Sequence, residues 1–254
     1  VSKIEAIHVY DSQTTAYHAA FKTFLEHTDQ KINARQWLDC FVRDLPARRV
    51  LIDAGAGNGQ VTAWLAEAFD RTVAIEPNAS LCAELRQACP TAEILPLTIL
   101  EAQPSVQADL ILCSHVLYYI ERSEWQATVA RMASWLAPRG NLIVILQNHE
   151  TDCMRMLRAL LGCSFDLQAF AGEYRLAHGR QYEINRHTVA AHITTRDLST
   201  AYSIAEFMLN LVPMPAPPAR RELETYINNH FALPDSGGFR FSCHQDFLLI
   251  HSGQ

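Results

Sequence analysis

Apolar residues return at helical spacing across the first 45 positions, as Tyr17, Phe21, Phe24 and Leu25 and then as Trp37, Leu38, Phe41, Val42 and Leu45. The pattern predicts helix over residues 11–44, with Pro46 as the stop. From there the period shortens. Apolar runs at 50–52, 73–75, 92–95, 109–113 and 142–146 alternate with amphipathic stretches. One stretch begins near Gln60 and one covers 79–88; a third is opened by Ser123 and Gln126 as a capping box and ends around Leu136. "APRG" then turns the chain into the fifth run. Short apolar strands separated by helices predict a mostly parallel sheet with helices on both faces.

Beyond Gln147 the rhythm changes. A helix is expected at 152–161, then a polar and aromatic irregular stretch to Arg180, then strand-like alternation over 181–193. Thr194 and Asp197 open a further helix carrying Tyr202, Phe207 and Leu211, and "PMPAPP" (213–218) breaks it as a rigid turn before another helix. Residues 239–251 alternate and predict a late strand that closes the sheet. The expected architecture is a Rossmann-like α/β fold with seven strands. Its parts are a helical lid (1–45), a core (46–150) and a substrate-side insertion with sheet-closing strands (151–254), in one compact domain.

Composition narrows the function classes. With 49% apolar or aromatic and 19% charged residues among 254, the chain has the balance of a globular protein that buries a core. Net charge is −6 and the basic residues are scattered, so no stripe exists to follow a nucleic acid backbone. No apolar stretch reaches the length of a membrane span and the first residues lack a signal-peptide pattern, which predicts a cytoplasmic protein without a membrane partner. Seven cysteines contain no Cys-x-x-Cys spacing and read as buried thiols; eleven histidines form no ligand motif, so no metal is expected.

The chemistry is concentrated in "VLIDAGAGNGQVTAWLAEAF". Asp53 ends a strand, and Gly55, Gly57 and Gly59 leave a bare backbone loop before a helix. Such a loop lies at the carboxyl edge of a parallel sheet, where ligands bind. A nicotinamide dinucleotide needs Gly-x-Gly-x-x-Gly or Ala, but Gln60 occupies the sixth position and Asp53 would repel a pyrophosphate. S-adenosylmethionine carries no phosphate and is cationic, so the acidic neighbour favours it. Glu76, ending the second strand, has the spacing of a carboxylate that accepts both ribose hydroxyls. The fourth strand emerges at the same edge into Ser114, His115, Val116, Leu117, Tyr118 and Tyr119, which suits a sulfonium pocket.

At these residues the chain resembles the class I S-adenosylmethionine-dependent methyltransferases. "DAGAGNG" is similar to their first motif and "AIEP" to their second. "ADLILCSHVLYYI" matches the fourth-strand motif, and "WLAPRGNLIVI" the turn into the fifth strand. The resemblance implies that Gly55, Gly57 and Gly59 approach the methionine end of the cofactor, that Glu76 holds its ribose, and that Thr98 and Ile99 lie near its adenine. A fainter likeness over the whole length is to the histamine N-methyltransferase group of small-molecule enzymes. Gln30 stands where that group has a substrate-binding glutamate, and Cys243 where it has an asparagine.

Methyl transfer is an in-line displacement that needs alignment and exclusion of water, not a covalent protein nucleophile. Tyr118 and Tyr119 are candidates to present ring faces to the sulfonium. His115 is the candidate general base, with Tyr119 beside it. Tyr10, Asn148 and Tyr174 are polar candidates for the substrate rim. The leading expectation is methylation of nitrogen on a small molecule. Two others stay open: a cyclase that closes the cofactor's own amino group onto its γ-carbon and releases methylthioadenosine, and a non-catalytic cofactor-binding protein.

Overall fold

The computed structural model describes residues 5–10, 14–234 and 237–253. Its strands are β1 (Val50–Ala54), β2 (Arg71–Ile75), β3 (Glu93–Leu95), β4 (Ala108–Ser114), β5 (Leu136–Gln147), β6 (Tyr182–Val189), β7 (His192–Thr195), β8 (Phe239–Ser242) and β9 (Gln245–Ser252). Its helices are α1 (Thr15–His27), α2 (Gln30–Arg43), α3 (Gln60–Ala66), α4 (Ala79–Ala88), α5 (Trp125–Ala133), α6 (Asp152–Leu161), α7 (Leu167–His178), α8 (Leu198–Leu209) and α9 (Arg220–His230).

The described residues group into two bodies. One comprises Leu38–Leu146, Leu167–His187 and Asp246–Gln254 and contains the cofactor-edge motifs. Its seven-stranded sheet has the order β3-β2-β1-β4-β5-β9-β6. The first five strands pair in parallel, with Asp53 opposite Ala74 on one side and Leu112 on the other. β1 and β4 are central because they are apolar nearly throughout; Leu51, Ile52, Leu110, Ile111 and Leu112 are all buried. The predicted Rossmann-like, seven-stranded, mostly parallel architecture is therefore the observed one.

The other body comprises Val1–Trp37, Gln147–Asp166 and Thr188–Gln245. Its axis is α8, which buries residues around almost its whole circumference against α1, α6 and α9. β7 and β8 form a separate antiparallel pair, Ile193 opposite Phe241. Phe24, Phe207, Leu223, Phe231 and Phe241 share the core of this body.

Several element boundaries differ from expectation. The leading helix is two helices: Thr28 is extended between them, its hydroxyl donating to the His192 carbonyl at 3.1 Å, and the expected stretch at 11–13 lies outside the described residues. No capping box forms at Ser123, because residues 122–124 make a 3-10 turn and α5 starts at Trp125. "APRG" lies inside β5, which starts at Leu136; the register skips between Ala108 and Leu110, and Arg139 takes up the irregularity at φ 65°. The irregular stretch before Arg180 contains α7, because Leu167, Phe170, Ala171 and Tyr174 bury one face at helical spacing. Residues 181–193 divide into β6 and β7, so Thr194 belongs to a strand, and Asp197 alone caps α8 by accepting from Thr200 N at 2.8 Å. The late strand divides at 243–244 into β8 and β9, in different sheets. Among the described residues no helix is long and apolar enough to cross a membrane.

Candidate functional site

β1 delivers the chain into a loop laid across the end of β2. The amides of Gly55 and Ala56 both donate to the Ile75 carbonyl, at 2.8 and 3.0 Å, and Gly59 enters α3 in a left-handed conformation. A Cβ on Gly55 would overlap the Val116 side chain, and one on Gly59 would come within 2.6 Å of Leu85 Cδ1. Packing therefore closes these two positions. Gly57 differs: its φ is 57°, and a Cβ there would meet nothing within 4 Å. The fold needs its backbone angle, while the space beside it is open.

Glu76 follows β2 directly and is 7% exposed. Its Oε2 accepts from the Gly57 amide at 3.0 Å and its Oε1 from the Asn78 amide at 2.8 Å, while its own amide donates to the Leu95 carbonyl. One side chain thus joins the glycine loop, the end of β2 and the start of α4. A carboxylate has roughly four acceptor positions, so two amides leave capacity for a ligand's hydroxyls. Asn78 caps α4 through its side chain, and its amide is the second donor to Glu76. Its role was absent from the sequence-based set, although an Asn opening a helix was a readable signal.

Asp53 lies at the end of β1, beneath the loop. It is 2% exposed, and its Oδ2 accepts from the Thr62 hydroxyl of α3 at 2.6 Å. Burial pushes its carboxyl up to about 6, the Thr62 hydrogen bond works against that, and the nearby Glu76 charge adds to it. The Asp53–Thr62 bond thus ties α3 to β1.

β4 ends at Ser114, and His115 follows at φ 60°, an uncommon conformation for a residue with a side chain. The His115 amide donates to the Ile145 carbonyl at 2.9 Å, which fixes that turn to β5. Residues 117–119 form a 3-10 turn, held from behind by the Trp125 indole, which donates to the Leu117 and Ile120 carbonyls. The structure brings His115 and Tyr118 together, rings 5.7 Å apart and nearly parallel, with Tyr118 buried. Tyr119 is 74% exposed. Beyond β3, the Thr98 hydroxyl donates to Glu101 Oε2 at 2.7 Å, holding that carboxyl below its usual range, and Ile99 is buried. Leu97 and Leu100 on either side are exposed apolar groups that motif matching did not single out.

The remaining candidates have other surroundings. Tyr174 is not on an open rim: it lies on α7, fully buried, with its ring against Phe170 and His178, and burial pushes its phenol up. In the other body, Tyr10 donates its hydroxyl to Glu206, and Asn148 Oδ1 accepts from the Glu150 amide at 2.9 Å. Gln30 donates to the Cys243 carbonyl at 2.8 Å, so the two positions departing from the histamine pattern touch each other. Among the described residues no cluster of His, Cys, Asp and Glu suits a metal ion.

Sheet order, glycine loop and terminal carboxylate define the Rossmann-like class of cofactor-binding folds. A methyltransferase-domain family model matches residues 24–203, well over half of the chain, and the chain belongs to that family. Trans-aconitate 2-methyltransferase of Acidovorax sp. (strain JS42) is 28% identical over 137 residues, 52% of this chain and 52% of that protein. The chain thus spans about half the length of the curated relatives it matches. Among solved structures, BH2331 from Bacillus halodurans C-125 aligns with a TM-score of 0.60 at 13% identity, covering 83% of this chain and 95% of that one. The N-methyltransferase NodS from Bradyrhizobium japonicum WM9, in complex with S-adenosyl-L-homocysteine, aligns at 0.54 and 12% identity, covering 95% and 100%. At these identities the structures share the fold.

Proposed function

We propose that the chain transfers a methyl group from S-adenosylmethionine to nitrogen on a small amine or imidazole-type metabolite. The observation that carries the cofactor is the Glu76 carboxylate, anchored by the Gly57 and Asn78 amides beside the one loop glycine whose Cβ position is open. These residues fit the group: a carboxylate with spare acceptor capacity suits vicinal ribose hydroxyls, and a bare peptide at Gly57 admits close approach of the remainder. When bound, the cofactor supplies a methyl group on a cationic sulfur, open to in-line displacement. Gly55 and Gly59 keep the loop packed down so that it does not fill the space it borders.

On the acceptor side, His115 is the residue we assign to take the proton released as nitrogen is methylated. Its strained backbone and its stacking on Tyr118 hold the imidazole at the end of β4. The exposed Tyr119 offers a ring face that attracts a cation, with Tyr118 buried behind it against His115, which favours an amine over a carboxylate acceptor. Thr98 and Ile99, one held by Glu101 and one buried, are assigned to the adenine end with Ser114 nearby on β4.

The test is incubation with S-adenosylmethionine alone, then with histamine, phenethylamine or trans-aconitate added. S-adenosylhomocysteine formed only with an amine supports the assignment. Formation only with trans-aconitate moves the acceptor class to carboxylates. Methylthioadenosine without any acceptor replaces methyl transfer by cyclisation, and no binding of the cofactor in calorimetry ends the reading.

A further inference from the structure

We infer that residues 5–10 form a strap that opens and closes as a unit on α8, and that the carboxylate of Glu206 is the pin that holds it shut. Glu206 is buried, yet three donors converge on it: the His8 amide at 2.7 Å and the Tyr202 hydroxyl at 2.9 Å on Oε1, and the Tyr10 hydroxyl at 3.0 Å on Oε2. One helical turn later, Asn210 continues the same line, accepting from the Tyr10 amide at 2.8 Å and donating to the His8 carbonyl at 2.9 Å. The other end of the strap is fastened by two backbone bonds, Ile7 N to the Pro218 carbonyl and Arg220 N to the Glu5 carbonyl, and by an ion pair between Arg220 and the exposed Glu5 carboxylate at 3.8 Å.

Burial alone does not account for this attachment. Ile7 is the strap's single fully buried apolar residue among 5–10, and Val9 is about half exposed. The nearby cation, Arg220, lies over the Tyr202 ring at 4.7 Å and pairs with Glu224 and Glu5, so among the described residues the donors to the Glu206 carboxylate are neutral, two of them from the strap. Hydrogen bonds to an ionised acceptor are stronger than neutral ones, which concentrates the strap's attachment in one side chain. Release of Glu206 would free the hydroxyls of Tyr10 and Tyr202 together, so a closed strap withholds both groups from any other partner.

The experiment is amide hydrogen exchange on the full chain carrying Glu206→Gln, which keeps the shape but turns one acceptor oxygen into a donor. Exchange of the His8 and Tyr10 amides should rise about tenfold or more, with amides inside α9 and the β7–β8 pair unchanged. Unchanged strap exchange overturns the pin. Loss of protection across the whole body overturns the strap as a separate unit. Ile7→Ala is the competing variant: if it opens the strap further than Glu206→Gln does, apolar burial holds it and the inference fails. Should Glu206→Gln not fold, Tyr10→Phe removes one donor only and should speed the His8 amide by about two- to fivefold, with no change counting against the pin.

Discussion

The Glu76 carboxylate and the Gly57 amide meet at 3.0 Å, so the residue assigned to the cofactor's ribose is also the one that fixes the glycine loop. Replacing Glu76 by Gln should weaken S-adenosylmethionine binding by about 10- to 100-fold, since a charge-assisted acceptor contributes about 1.5–3 kcal/mol. Glu76→Ala should weaken it further and also loosen the loop. Calorimetry with circular dichroism separates the two effects: unchanged affinity in a folded Glu76→Gln protein would remove this residue from the binding edge.

The three loop glycines should respond differently to a methyl group. Gly55→Ala drives Cβ into Val116, and Gly59→Ala drives it against Leu85, so both should lower the melting temperature whether or not ligand is present. Gly57→Ala meets no protein atom and should cost only the left-handed conformation, about 1–2 kcal/mol. Its larger effect should be on cofactor affinity. Thermal melts of the three variants with and without S-adenosylmethionine check this; a Gly57→Ala protein that binds normally would mean the open space is not used.

Asp53 makes a pH prediction. Its folded-state value is raised to about 6 by burial, above the range of an exposed aspartate. A raised carboxyl contributes stability that is fully present below its unfolded value, near 4, and lost as pH rises through 6. The shift corresponds to about 3 kcal/mol. Asp53→Asn should therefore match the wild type at pH 4 and gain on it progressively up to pH 7 in denaturant unfolding. A constant difference across that range would show that the carboxyl does not titrate there. The Thr62 hydrogen bond survives this substitution because the amide oxygen still accepts.

Most of the sheet was legible because β1, β4 and β5 are buried on both faces and read as continuous apolar runs. The glycine loop and Glu76 were legible because their spacing is local to one strand-loop-helix unit. What failed needed tertiary information. Spacing did not show that Thr62, nine positions on, brings a hydroxyl to Asp53 through the turn of α3. The expected capping box yielded to the Trp125 indole, which holds the preceding turn by two carbonyls. The alternation at 239–251 carried no sign that its two halves serve different sheets, since each half keeps its own period of two. In α7 the helical stripe of Leu167, Phe170, Ala171 and Tyr174 was present, but the surrounding polar residues and Gly172 obscured it.

Tyr174 provides the last prediction, because its two readings give opposite results. Its hydroxyl is buried with no hydrogen-bond partner among the described residues, while its ring is packed against Phe170 and His178. An unsatisfied buried hydroxyl costs about 1–3 kcal/mol relative to an apolar group of the same shape. Tyr174→Phe removes only that oxygen and keeps the ring contacts, so stability should be unchanged or higher, with cofactor affinity and turnover as in the wild type. Tyr174→Ala, in contrast, should cost about 3–5 kcal/mol through the cavity it leaves. A Tyr174→Phe protein that is less stable, or that turns over more slowly while remaining folded, would mean that the hydroxyl has a partner in solution and that the rim role expected from sequence had substance after all. Equilibrium unfolding and steady-state kinetics on the same preparation separate these outcomes, since a packing residue moves only the Ala variant and a ligand contact moves both.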